Sequence, residues 1–135
     1  MSSVISFRTI SGGYAEAEVI CSNDDICFYV TEPKTGILRD KGHDLDGVSL
    51  AGKILVFPSG KGSAVVQDEG LFSLKENGKL PAAMIIESPE TVLVFAALLL
   101  KIPLLDSVSI EDRKKLQNGM RLRLDTDKNL LEIVE

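Results

Sequence analysis

The chain has 135 residues, 44% of them apolar, which fits one domain able to fill a single core without disulfides or metal. Twenty acidic residues stand against 15 basic ones for a formal charge of −5, so nothing in bulk is available to neutralise a nucleic-acid backbone or an anionic membrane. The longest apolar run, Val92 to Leu100, is far too short to span a bilayer and no basic leader precedes an apolar stretch, which predicts a soluble, cytoplasmic protein built as one domain over residues 1–135.

Val4 to Arg8 alternate weakly, and Ala15 to Cys21 have the period-two pattern of a half-buried strand after Gly12-Gly13, so a strand pair is predicted at the start. Cys21 and Cys27 have a spacing that suits neither a secreted disulfide framework nor a zinc site, and are expected to be buried or half-buried free thiols. Ile26 to Val30 is β-branched and aromatic and predicts a further strand. Thr31 to Gly47, with Pro33, Gly36, Gly42 and several aspartates, reads as a long loop. Its acidic residues Glu32, Asp40, Asp44 and Asp46 lack metal-ligand spacing, and His43, the one histidine, is expected to be a surface or turn residue.

Lys53 to Phe57 is a short apolar strand ending at Pro58. A glycine-rich turn, Ser59-Gly60-Lys61-Gly62-Ser63, leads into a helical stretch reaching Asn77. Ala82 to Ile86 is a second buried strand. Ser88-Pro89 is read as an N-cap and first-turn proline for a helix to about Leu100, followed by a third strand over Ile102 to Leu105. Buried strands alternating with helices predict a parallel βαβαβ heart with right-handed crossovers. Met120 to Leu124 and Leu130 to Val134 alternate again and form a β-hairpin around Asp125 to Asn129. The fold class is α/β: a mixed sheet with that heart and antiparallel strands at both chain ends.

The glycine turn is where chemistry is expected. Gly60 and Gly62 let backbone N–H groups approach a ligand, and Ser63 falls at the helix start, where unsatisfied donors and about half a positive charge stabilise an anion. Ser63 is either a plain N-cap or a reactive hydroxyl, and Lys61 points either at an anion or into water. No Walker-type nucleotide loop is present. With one histidine and two separated cysteines, no metal site or Ser-His-acid triad is expected on this chain.

The run from His43 to Ser63 (His-Asp-Leu-Asp-Gly-Val-Ser-Leu-Ala-Gly-Lys-Ile-Leu-Val-Phe-Pro-Ser-Gly-Lys-Gly-Ser) resembles the small subunit of the aconitase X family. The likeness continues through Asn77 to Ile86 and Ile102 to Leu105, includes Thr35 to Asp40 upstream, and covers roughly residues 11–124. It implies a swivelling β/β/α domain acting as the small subunit of a heteromeric hydro-lyase. A larger subunit would carry an iron–sulfur cluster, with none on this chain. Ser63, as its alkoxide, would remove the proton from the carbon next to the carboxylate of a small anionic hydroxy acid, phosphomevalonate being the leading substrate. Gly60, Lys61, Gly62 and Ala64 would form the substrate-binding turn. This chain departs from the family pattern at Ala64 to Glu69, where further small polar residues are usual, and at Val30-Thr31, where two glycines are usual. The alternative reading is a non-catalytic relative serving as an interaction or small-anion-binding module. The very apolar helix Thr91 to Leu100 further predicts an apolar face left for the larger subunit or for a self-dimer.

Overall fold

The computed structural model of the protein describes residues 3–134. Among these, eight strands form one mixed sheet: β1 (Ser3–Val4), β2 (Arg8–Ser11), β3 (Tyr14–Cys21), β4 (Ile54–Phe57), β5 (Ala83–Ile86), β6 (Leu104–Asp106), β7 (Arg121–Asp125) and β8 (Leu130–Val134). Their order across the sheet is β1-β8-β7-β3-β4-β5-β6-β2. Strands β3, β4, β5 and β6 run parallel, and the β8, β7 and β2 contacts are antiparallel. Helix α1 (Ala64–Glu76) joins β4 to β5, α2 (Thr91–Leu100) joins β5 to β6, and a short α3 (Ile110–Lys115) precedes β7. The βαβαβ heart and the closing hairpin are therefore as the sequence predicts.

Strands β4 and β5 are buried at every position because both faces are covered, which is why they read as continuous apolar runs. Leu55, Phe57, Met84 and Ile86 face a core shared with α1, α2 and the loop after β3, with Phe28 set edge-on to Phe57 at 6.0 Å between ring centres. Ile54, Val56, Ala83 and Ile85 face a second core that also holds Ala15, Ala17 and Val19 of β3 and Leu122, Leu124 and Leu131 of the hairpin. Both halves of the sheet contribute to that second core, so the sheet curls around it.

The predicted opening strand pair is not formed. β3 is occupied on one side by β7 and on the other by β4, leaving no edge for β2, which pairs instead with β6 at the far border of the sheet. There Arg8 clamps the Asp106 carboxylate with two bonds, of 2.8 and 2.6 Å. Ile26 to Val30 is not a strand either: Ile26 makes one parallel bridge to Gly60, and Phe28–Val30 then turn as a 3-10 helix closed by Thr31 Oγ1 donating to the Phe28 carbonyl at 2.6 Å. Neither Val30 nor Thr31 needs a positive φ, so the departure from glycine at these positions is accommodated by the tight turn.

Helix α2 starts two residues later than predicted. Its N-cap is Glu90, whose carboxylate accepts from the Val92 N–H, while Pro89 precedes the cap and the Ser88 carbonyl accepts from Ser59 Oγ. Along α2, Leu93, Ala96, Ala97 and Leu100 are buried, while Phe95, Leu98 and Leu99 remain more than half exposed on the outer side. An uncovered apolar face is thus present where the sequence places it. No helix is long and apolar enough to cross a membrane among the described residues.

Candidate functional site

The glycine turn sits at the carboxyl end of β4, held from both flanks. On one side the Ile26 N–H donates to the Ser59 carbonyl at 3.0 Å and the Lys61 N–H donates to the Ile26 carbonyl at 3.1 Å. On the other, the N–H groups of Glu87 and Ser88 donate to the Pro58 carbonyl at 3.0 and 3.1 Å. The exits of β3, β4 and β5 thus converge on one turn, the usual place for a ligand in a parallel sheet.

Gly62 has φ +110°, a region closed to L side chains, and a Cβ there would also press on Val66 and come within 3.5 Å of the Cys27 thiol. Ser63 follows at φ −68°, ψ 167° as the N-cap of α1, with its Oγ accepting from the Val66 N–H at 3.4 Å, a long bond. Ser63 and Ala64 are exposed. Among the described residues nothing accepts from the N–H groups of Ser63, Ala64 and Val65, so three donors are left over at the helix start that the Ser63 hydroxyl loosely caps. The Ser63 hydroxyl is therefore both a cap and an accessible group in an anion-stabilising field. Lys61 Nζ lies 3.3 Å from Asp40 Oδ2, which ties the turn to the long loop and balances the lysine charge.

Two residues that sequence reasoning missed complete the turn. Gln67 is 1% exposed. Its Nε2 donates to the Gly62 carbonyl at 2.9 Å and to Glu90 Oε1 at 2.6 Å, linking the glycine turn to the cap of α2. A Cβ on Gly60 would sit 2.5 Å from Gln67 Oε1, so Gly60 is required by this packing rather than by its dihedrals. The signal was available: Gln67 is a polar residue at helical spacing from buried Gly70, Leu71 and Leu74, on a stripe that otherwise faces the core.

His43 is buried rather than at the surface. Its Nε2 contacts the Asp25 carbonyl at 2.9 Å, its Nδ1 accepts from the Leu45 N–H at 3.0 Å, and Asp44 Oδ1 lies 3.1 Å from Nδ1. It gathers with Asp24 and Asp44 within 4.8 Å, but these atoms are already engaged in holding the loop. Burial pushes the Asp44 carboxyl up, yet bonds from Ser22 Oγ and the Asn23 N–H outweigh this and hold it below the ordinary carboxylate range. The two thiols are free and half-buried, as expected; burial pushes the Cys21 thiol up, and its Sγ donates to the Leu116 carbonyl at 3.5 Å. Two thiols, one turned toward Leu116 and the other beside Gly62, do not fit an iron–sulfur cluster, which needs several thiolates around one point.

Comparison with known proteins agrees with this geometry. The family profile described as the aconitase X swivel domain matches residues 4–133. A phosphomevalonate dehydratase small subunit of Thermococcus kodakarensis is 43% identical over 129 residues, covering 95% of this chain and 94% of its own length. One of Methanosarcina acetivorans is 37% identical, covering 95% and 89%. The crystal structure of Thermococcus kodakaraensis aconitase X in its holo form superposes with a TM-score of 0.87 at 42% identity over 98% of this chain and 99% of that one. A UPF0107 protein solved by solution NMR gives 0.83 at 32% identity over the whole of both chains. A curled mixed sheet with a glycine turn leading into α1, matched along nearly its whole length, makes this chain a member of the aconitase X swivel-domain family.

Proposed function

We propose that this chain is the small subunit of a heteromeric hydro-lyase that dehydrates phosphomevalonate, and that Ser63 is its general base. The observation carrying this reading is the exposed Ser63 hydroxyl at the N-terminus of the 13-residue α1, beside three N–H groups without acceptors among the described residues. A serine base is useful only as the alkoxide, and a fixed array of donors at a helix start is the environment that stabilises it. The alkoxide takes the proton from the carbon next to the substrate carboxylate and becomes a hydroxyl. The electron pair left on that carbon forms the double bond as the hydroxyl on the adjacent carbon departs.

Lys61, Gly62 and Ala64, exposed beside Ser63, receive the anionic substrate, with the buried Gly60 shaping the turn beneath them. The relatives are named small subunits, so the departing hydroxyl and the iron–sulfur cluster are assigned to a larger partner, in keeping with the two ill-placed thiols here. A cytoplasmic setting goes with this reading. The test is co-expression with the larger subunit followed by an assay of phosphomevalonate dehydration. Turnover is expected from the pair and not from this chain alone. An inactive, correctly assembled pair, or a stoichiometric cluster on the isolated chain, would refute the proposal.

A further inference from the structure

The side chain of Gln67 is spent in an unusual way. Both hydrogens of its amide are used, on the Gly62 carbonyl and on Glu90 Oε1, whereas its buried carbonyl oxygen has no partner among the described residues and faces the Cα of Gly60. Flipping the amide would set its oxygen against two acceptors, so the orientation is fixed by the network. Orphaned buried acceptors are rare in native interiors, and an apolar side chain of the same size would fill this space without one. The group is held there for its two donors.

Those donors act on one peptide plane. In a trans peptide the carbonyl of Gly62 and the N–H of Ser63 point in opposite directions, so pulling the carbonyl inward onto Gln67 turns the Ser63 N–H outward. The same plane sets where the Ser63 Cα, and with it Oγ, leaves the turn. Gly62, at φ +110° and without a side chain, supplies little stiffness of its own. Glu90 in turn fixes Gln67, because its other oxygen is committed to the Val92 N–H at the start of α2. Backbone and side chain of Gln67 grip the turn together, since the Gln67 N–H donates to the Ser63 carbonyl at 3.0 Å.

We propose that Gln67, held by Glu90, is a positioning residue for Ser63: it locks the Gly62–Ser63 peptide so that the serine N–H and hydroxyl face the substrate. Its consequence for turnover rests on the proposed function, but the locking itself does not. In the isolated full-length chain, nitrogen relaxation should give the Ser63 amide an order parameter near 0.85, falling below about 0.6 in Gln67→Met, which keeps length and loses both donors. In the assembled pair, Gln67→Met and Gln67→Leu should lower kcat about ten- to a hundredfold, with KM within about twofold. In a Ser63→Ala background neither should lower kcat further, because both changes act through one hydroxyl. A rigid Ser63 amide in Gln67→Met, an unchanged kcat, or a full additional loss in the Ser63→Ala background would each overturn the assignment. Full turnover by Ser63→Ala alone would refute the proposed base instead, and the relaxation data would then decide the locking by themselves.

Discussion

Replacing Gly70 by alanine tests the packing that carries the glycine turn, and propensity and structure disagree on its sign. Gly70 lies within α1, where alanine is favoured over glycine by about 1 kcal/mol, so helix propensity alone predicts a stabilised protein. In the structure a Cβ at position 70 would sit 2.3 Å from the Tyr29 nitrogen and 2.4 Å from the Phe28 carbonyl carbon, both backbone atoms of the 3-10 turn. Ordinary contact needs about 3.5 Å, so helix and turn must separate by roughly 1 Å, and no side-chain rotation can relieve this. Overpacking of this kind costs about 1–3 kcal/mol, which cancels the propensity gain and leaves a net loss of up to about 2 kcal/mol. For a domain of this size that lowers Tm by up to roughly 10 °C. Thermal and urea unfolding of the purified chain, with exposed Glu76→Ala as a control on the same helix, measures it. A Gly70→Ala chain more stable than the parent would refute the close approach of α1 to the Phe28 turn.

At the far border of the sheet, Arg8 holds the Asp106 carboxyl below its ordinary range, chiefly through the direct hydrogen bond. The folded value is depressed, so the stabilisation is fully present above the ordinary carboxylate range and is lost as pH falls through the folded value. Arg8→Gln should therefore be less stable than the parent at neutral pH, with the difference shrinking as pH falls through the carboxylate range; a difference that stays constant across that range in unfolding followed against pH would contradict the pairing. On α2, Phe95→Ser and Leu98→Ser should change folding stability by no more than about 0.5 kcal/mol, because both side chains are more than half exposed. The same changes should weaken association with the larger subunit, or of the isolated chain with itself, in light scattering, and unaltered association would place the contact elsewhere.

What the sequence made legible follows physical lines. β4, β5 and the closing hairpin were readable because burial on two faces, or on one, writes itself as a continuous or an alternating apolar pattern. The partner of β2 was not, because an edge pairing such as Arg8 with Asp106 joins residues far apart in the chain and leaves no local mark. Helix α3 has no buried residue and so no apolar stripe; only Ser109 as a cap, with acidic residues in the first turn and basic ones in the last, announces it. At the site, Ser63, Gly60 and Gly62 stood out by residue type and position. Gln67 and Glu90 came to light through a contact between two helices that only the tertiary fold creates. His43, read as a surface or turn residue, is a turn residue whose ring is buried and pins the loop.

The central claim is that the Ser63 hydroxyl is a base and not merely a helix cap, and Ser63→Gly separates the two roles. Glycine caps a helix nearly as well as serine, and the cap bond being replaced is a long one of 3.4 Å, so the change should alter stability by only a few tenths of a kcal/mol. It removes the hydroxyl altogether. The account predicts that the Ser63→Gly chain folds, assembles with the larger subunit and binds phosphomevalonate, while turnover falls about 10²-fold or more. A Ser63→Gly complex that dehydrates the substrate at the parent rate would show that the serine is structural, and would contradict the account.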